Sequence, residues 1–239
     1  MHLEPAQHQP LYLSALHVRL TAPEGYDGAR ALAVAPEPWP FWDGEDQDER
    51  VARWSEDVGW REDWGQVIPA GRLNGSSGVL VGQRVLEPLD LTFDDVWLTD
   101  AVPFFFVHRG VGRQGDAMSK RYDPFAAAVG LPPHALPDRP TPRRLVELAV
   151  TEERARLEKE LQTADAPLVI TLGNEALAVA DALLDADLPN QLSPDHSYGT
   201  RLPARLGGQR LEVLPLVHPG QRGAPWTAAH DTWIERPPA

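Results

Sequence analysis

Apolar positions fall into two periods along the chain. Short continuous apolar runs read as strands buried on both faces, and runs with apolar residues three and four apart read as amphipathic helices. Four runs are of the first kind. Ala29–Ala35 is followed by Pro36-Glu37-Pro38-Trp39-Pro40, whose prolines rule out a regular element. Asp95–Pro103, Pro167–Leu172 and Leu211–Val217 are the other three. Helices are expected between them. One runs from Val79 to about Leu89, behind a Gly75-Ser76-Ser77-Gly78 loop in which Ser76 or Ser77 is the N-cap. Another opens at Thr141-Pro142, with Leu145, Leu148, Leu157 and Leu161 on its buried side and Glu152, Glu153, Glu158 and Glu160 on its solvated face. Gly173-Asn174 turns the third strand into a helix from Glu175 to about Asp185, capped by Asn174. The last helix carries Trp226, His230 and Trp233 at helical spacing, a packed face.

The remaining segments are less regular. Tyr12–Leu20 admits a helix or a strand. Residues 110–140 read as a long loop around a short helix, and Gly207-Gly208 as the two-residue turn of a small hairpin. Residues 43–70 form an acidic, tryptophan-rich insertion or flap, in which Trp60 and Trp64 share helical spacing. Strand–turn–helix units of this kind predict an α/β fold. The expected architecture is a three-layer αβα arrangement around a central, mainly parallel, four-stranded sheet. One domain is expected to span residues 1–239.

Composition narrows the chemistry. The chain has 239 residues, of which 42 % are hydrophobic and 24 % charged, enough for a packed core. Cysteine is absent, which removes disulfides, thiolate metal sites, iron–sulfur clusters and cysteine nucleophiles together. No run approaches the roughly 18 apolar residues of a membrane span, and the first residues lack the pattern of a signal peptide. A cytoplasmic protein is expected. The net charge of −13 opposes nucleic-acid binding. Much of the acid lies between Asp43 and Asp63, however, and the cations are almost all arginine, the better planar phosphate reader.

The candidate chemistry gathers at strand ends, where α/β proteins place ligands. The run Leu211–Val217 delivers His218-Pro219-Gly220-Gln221-Arg222-Gly223. Proline stiffens this loop, glycine permits close approach, and Arg222 is a bidentate phosphate or carboxylate candidate. Asp100 ends the second run, either as a hydrogen-bond acceptor for a heterocycle or as a turn cap. Trp39, Phe41 and Trp42 follow the first run, either as a core cap or as a wall for a planar ligand. The Gly75–Gly78 loop is an anion site or a simple helix cap, and no lysine makes it a P-loop.

Taken in order, these pieces resemble the uracil-DNA glycosylase-like superfamily from about Ala29 to Trp233. Ala33-Val34-Ala35-Pro36-Glu37 is similar to its first motif, and Gly75-Ser76-Ser77-Gly78 to its phosphate-contacting loop. Val96-Trp97-Leu98-Thr99-Asp100 resembles the strand that presents the base-reading residue. Leu172-Gly173-Asn174-Glu175-Ala176 resembles the LG-x-x-A turn, and His218-Pro219-Gly220 the HPS motif. The resemblance implies base flipping followed by hydrolysis of the N-glycosidic bond through an oxocarbenium-like sugar. His218 and Asp100 are then the catalytic residues. His218 stabilises charge on the departing base and Asp100 reads the base edge. Val34, Ala35, Phe41, Trp42 and Phe104 line the base pocket with Asp100, and Gly75, Ser76, Ser77, Gly220 and Arg222 hold phosphates. No metal or cofactor is needed, and a monomer acting on DNA, away from membranes, is expected.

The departures from that pattern shape the substrate. The water-orienting polar residue of most relatives is replaced by Val34 or Ala35, and the base reader is aspartate rather than asparagine. An ionised aspartate only accepts hydrogen bonds, so it suits an exocyclic amine and repels a uracil carbonyl. A cytosine derivative is therefore the expected base, and some members of the superfamily remove bulky modified cytosines from phage DNA. Three alternatives stay open: a catalytically silent DNA- or protein-binding module, a repair glycosylase for uracil or other deaminated bases, and a hydrolase of free nucleosides.

Overall fold

A computed structural model describes residues 16–19, 30–31, 46–57, 59–62, 67–69, 76–103, 106, 123–130, 137–195, 198–221 and 223–235. In chain order the elements are β1 (Leu16–Arg19), β2 (Arg30–Ala31), α1 (Gln47–Asp57), β3 (Val67–Pro69), α2 (Ser76–Val81), α3 (Asp123–Val129), α4 (Pro142–Thr151), α5 (Arg154–Ala164), β4 (Leu168–Leu172), α6 (Asn174–Leu183), β5 (Asp185–Ala186), β6 (Leu202–Leu206), β7 (Gln209–Leu216) and α7 (Ala224–Glu235). They fall into two compact units. One comprises Met1–Gln9, Gly75–Val102 and Thr141–Ala239, and the other Pro10–Asn74 and Pro103–Pro140.

The second unit holds an antiparallel sheet in the order β2-β1-β3. The 12–20 segment, ambiguous in sequence, is thus a strand over Leu16–Arg19, and Arg30–Ala31 pairs with it. Arg30–Ala31 is the described part of the expected first strand, and it lies in this sheet rather than in the central one. Helix α1 is flanked by ion pairs one turn apart, Asp46–Arg50 and Glu49–Arg53, both at 2.7 Å. Gly59, at φ +64°, turns the chain back after the helix. Trp60 then packs on Trp54 with ring centroids 5.5 Å apart. Trp60 therefore lies beyond the helix and not on its face, contrary to its helical spacing; Trp64 is outside the described residues.

The larger unit is built on a sheet of order β4-β7-β6-β5. Strands β4 and β7 are parallel, with Leu168–Leu172 against Glu212–Leu216. β6 and β7 are antiparallel across the Gly207-Gly208 turn, with Leu206 opposite Gln209, and β5 adds antiparallel to β6. The expectation of a mainly parallel sheet is thus corrected to a mixed one. At β6–β7 the reason is local, since a two-residue turn can only return the chain antiparallel, whereas β4 and β7 run parallel across a long crossover that contains α6.

Helices cover both faces of this sheet. Leu211 and Val213 of β7 and Ala204 and Leu206 of β6 pack with Leu177, Ala180 and Leu184 around α6. Leu214 and Leu216, of opposite parity on β7, pack with Val81, Val85 and Leu86 and with Trp233 of α7. β7 is the buried centre, since Val213, Leu214 and Leu216 have no exposed surface. A third cluster, Ala149, Leu157 and Val179, joins α4, α5 and α6.

Four further local expectations change. α2 begins at Ser76 rather than at Val79, so both serines lie inside the helix, which continues as a π segment over Gly82–Leu86 and a 3₁₀ turn over Glu87–Leu89. The helix expected from Thr141 to Leu161 breaks at Glu152-Glu153, where the Arg154 guanidinium spans the break to the Val150 carbonyl at 3.1 Å and also takes the Ala182 carbonyl at 2.8 Å. Its start is as expected, with the Thr141 hydroxyl accepting from the Arg144 amide and Pro142 in the first turn. Asn174 does not cap α6; Gly173 occupies that position, and Asn174 Oδ1 accepts from the Leu192 amide at 2.8 Å. Finally, residues 95–103 form no strand. The Arg156 guanidinium donates to the carbonyls of Asp100 (2.8 Å) and Ala101 (3.3 Å), acceptors that a ladder would otherwise use, and Pro103 offers no donor.

Gly199 shows how tightly the α7 side is packed. It has φ +65°, its amide donates to the Pro215 carbonyl at 3.0 Å, and a Cβ there would fall 2.2 Å from Trp233 Cδ1. Gly199→Ala is expected to destabilise the protein by about 3 kcal/mol, combining left-handed strain with overpacking. A chemical denaturation midpoint within error of wild type would refute this.

Candidate functional site

The carboxyl ends of the two parallel strands leave the sheet side by side. The Gly173 amide donates to the Leu216 carbonyl at 2.8 Å, extending the ladder by one bond. Gly173 then turns at φ +103°, a backbone angle that glycine adopts without strain. A Cβ at this position would sit 3.7 Å from His218 Cβ, so the strand–helix turn lies directly beside the histidine.

His218 is exposed on a short, self-bonded loop. The Gln221 amide donates to its carbonyl at 2.8 Å, and the Gly220 amide donates to its Nδ1 at 3.0 Å. An amide donor on Nδ1 means that the neutral ring carries its proton on Nε2. The contact is close: a Cβ at Gly220 would stand 3.2 Å from Nδ1, so a larger residue would press on the ring. The loop closes at Gly223, whose carbonyl accepts from the amides of Trp226 and Thr227 to start α7.

A cavity of about 200 Å³ opens beside this loop. His218, Gln221, Arg84, Trp226, Thr227 and His230 contribute to its wall. His230 is buried, and both of its ring nitrogens are engaged. Nε2 bonds the Arg84 carbonyl at 2.9 Å, and because a carbonyl only accepts, the proton is on Nε2. Nδ1 therefore accepts from the Tyr198 hydroxyl. Arg84 is held by Asp231 at 2.6 Å. The expected packed face of the last helix is present, since His230 and Trp233 are buried and their rings lie 5.3 Å apart. Its polar bond to Tyr198 had no signal in the sequence, because Tyr198 lies 32 residues away.

Asp100 is exposed and sits on a segment fixed from behind. Arg156 reaches Thr99 Oγ1 at 3.0 Å as well as the two carbonyls, while Glu153 (2.6 Å) and Glu160 (3.0 Å) hold its guanidinium. Ala101 and Val102 pack into the α4–α5–α6 cluster. The segment therefore presents Asp100 without being a strand. Asp100 is not among the residues that line the cavity beside His218.

Of the residues expected to act together, the structure joins His218 with Gly220. Ser76 and Ser77 begin α2. Val34, Ala35, Phe41, Trp42, Gly75, Phe104 and Arg222 lie outside the described residues. Among the described residues, no group of three or more histidine, aspartate or glutamate side chains is placed to hold a metal ion, and no helix is long and apolar enough to cross a membrane. The sequence matches no protein-family model and no curated protein.

The Tyr198–His230 pair sets a pH window. Burial holds the His230 imidazole below its ordinary 6.5, against the Arg84 carbonyl that favours the protonated ring. Burial also pushes the Tyr198 phenol up to about 12, although the Val217 amide favours the phenolate. An unfolded histidine protonates near 6.5, which the folded ring resists, so stability falls as pH drops below about 6.5. An unfolded tyrosine ionises near 10, which the folded phenol resists, so stability falls again above about pH 10. Thermal melts across pH are expected to show both limbs. Replacing His230 with Gln should weaken the acid limb and leave the alkaline limb in place; an unchanged acid limb would count against this assignment.

Proposed function

We propose that the chain is a DNA N-glycosylase that excises a modified base, specifically a cytosine derivative, and leaves an abasic site. The observation that carries this reading is the state of His218. Its Nδ1 is occupied by the Gly220 amide, so Nε2 keeps the proton and is a hydrogen-bond donor at the end of a strand of the parallel pair. A neutral imidazole donor suits the oxygen of a departing base, where negative charge develops as the glycosidic bond breaks. In this reaction the C1′–N1 bond breaks with its electron pair going to the base. Water adds to the sugar cation at C1′, and the proton it gives up balances the charge on the base. The Asp100 carboxylate accepts from an exocyclic amine, and the Arg156 bond to the Asp100 carbonyl anchors the backbone that carries it. The resemblance in motif order from Ala29 to Trp233 supports the same reading.

A second reading is favoured by one observation, the net charge of −13. It holds the chain to be a silent module that keeps the same architecture and binds DNA or a protein. Product formation separates the two. Labelled single- and double-stranded oligonucleotides carrying uracil, hypoxanthine, xanthine, 5-hydroxymethylcytosine or its glucosylated form are incubated with the protein and treated with alkali. Cleavage at a cytosine derivative is expected. His218→Ala should reduce it by about 10²–10³-fold, as for removal of one donor to a developing oxyanion. Asp100→Asn should cost about 1–3 kcal/mol of discrimination at the base edge. Cleavage at uracil instead would overturn the assignment of Asp100 while leaving the reaction class intact. DNA binding with no abasic site on any substrate would establish the silent module.

A further inference from the structure

The reaction proposed above consumes a water molecule, and the attacking water needs a base. The first motif, where most members of the resembled superfamily carry a polar residue, holds Val34 and Ala35. A general base must come within hydrogen-bond reach of the water it deprotonates, and carboxylates are among the side chains that serve. Two carboxylates near the site have other work. Asp231 holds the Arg84 guanidinium at 2.6 Å, and Asp100 is not among the residues that line the cavity beside His218.

The turn beside His218 brings a further carboxylate to it. Glu175 lies in the first turn of α6, just beyond Gly173, and is half-buried. A Cβ built on Gly173 would stand 3.8 Å from Glu175 Oε2 and 3.7 Å from His218 Cβ. One point is thus in van der Waals reach of both side chains, and the carboxylate is folded back toward the glycine and the histidine. The glycine leaves a gap there that a methyl group would fill, and a water molecule is smaller than a methyl group. The bond from the Gly173 amide to the Leu216 carbonyl, at 2.8 Å, ties together the two strand ends that carry these residues, so the sheet sets their spacing. The helix dipole favours an acid in the first turn, but it does not require the carboxylate to fold back in this way.

We infer that Glu175 is the general base for the attacking water, an inference that rests on the glycosylase reading. His218 and Glu175 then serve the two ends of one bond exchange. The C1′–N1 bond breaks with its electron pair going to the base, whose oxygen accepts from Nε2–H of His218. A lone pair of the water forms the new C1′–O bond, and one water proton passes to the Glu175 carboxylate. The carboxylic acid then releases that proton to solvent, and the base anion takes one up. The sugar has gained the hydroxyl and the free base the hydrogen, so the water is fully accounted for. A donor for the leaving group and an acceptor for the nucleophile are thus held at the ends of two neighbouring parallel strands.

The test uses the oligonucleotide that the wild type cleaves. Glu175→Gln keeps the size and polarity of the side chain and removes the basic oxygen. It should lower kcat about 10²–10⁴-fold, the range for loss of a general base, with little change in KM. Glu175→Ala should be equally slow in water and be rescued by sodium azide, an anionic nucleophile with no proton to lose. Its product then carries azide on C1′ in place of the base, identified by mass, whereas the wild type leaves the abasic hydroxyl. A purely structural role in the first turn of α6 predicts a lower melting temperature for Glu175→Gln at wild-type kcat. That result, or a slow Glu175→Ala that azide leaves slow, would overturn the inference and leave the glycosylase reading intact. A wild type that forms no abasic site on any of the oligonucleotides would remove the glycosylase reading, and the inference with it. If neither variant folds, Glu175→Asp decides, since it keeps the charge in the first turn and draws the carboxylate back by one methylene. A loss of about 10²-fold in kcat at an unchanged melting temperature, as for a small misplacement of a catalytic group, would uphold the inference, and a wild-type kcat would overturn it.

Discussion

The parallel pairing of β4 with β7 is the constraint on which the larger unit depends. Five residue pairs, from Leu168 with Glu212 to Leu172 with Leu216, set it. Because the strands run the same way, their carboxyl ends emerge together. One leads through Gly173 into α6, and the other through His218 into α7. The bond from Gly173 to the Leu216 carbonyl carries the ladder one step beyond the strand and brings the two turns into contact. The same pairing buries β7 on both faces, so its alternating residues supply both cores. A fully buried leucine contributes about 1.5–3 kcal/mol, so Leu214 and Leu216 hold the site's scaffold as well as the fold.

Polar groups with fixed donor and acceptor roles then decide details that apolar packing leaves open. Arg156 turns the Thr99–Ala101 segment into a pinned, non-strand presentation of Asp100. His230 of α7 bonds both the Tyr198 hydroxyl and the Arg84 carbonyl of the segment that continues α2. Arg156 bonds the main chain behind Asp100, and the Gly220 amide holds the His218 ring itself. A buried group with a missing partner costs more than a surface contact contributes, which is why such networks have one arrangement. The pair of Arg156 with Glu153 and Glu160 is only partly exposed, and screening weakens it less than the surface pairs of α1.

Periodicity made part of this legible. β4, β7 and the helix after Gly173 follow from an apolar run, a second apolar run and a strand–glycine–helix turn. Gly207-Gly208 marks its hairpin, and Thr141-Pro142 the start of α4, because each uses chemistry carried within a few residues. The segment 95–103 misled for the opposite reason. Its residues have the composition of a strand, but a guanidinium from α5, 56 residues away at Asp100, takes its acceptors. Trp60 likewise kept helical spacing after Gly59 had already ended the helix. At the candidate site, His218 and Gly220 were legible as a stiff strand-end loop, whereas Tyr198 and Arg84 carry no local mark.

The sequence by itself determined the α/β class, the strand that delivers His218, and the glycines that let the backbone approach that ring. These depend on hydrophobic period and on φ preferences, which act over a few residues. The tertiary structure alone decided that Asp100 rides on a pinned loop rather than on a strand, and that His230 bonds Tyr198 and the Arg84 carbonyl beside the cavity that His218 also lines. Those outcomes depend on which donor meets which acceptor across tens of residues of chain, and only the packed fold brings such groups within the 3 Å at which a hydrogen bond forms.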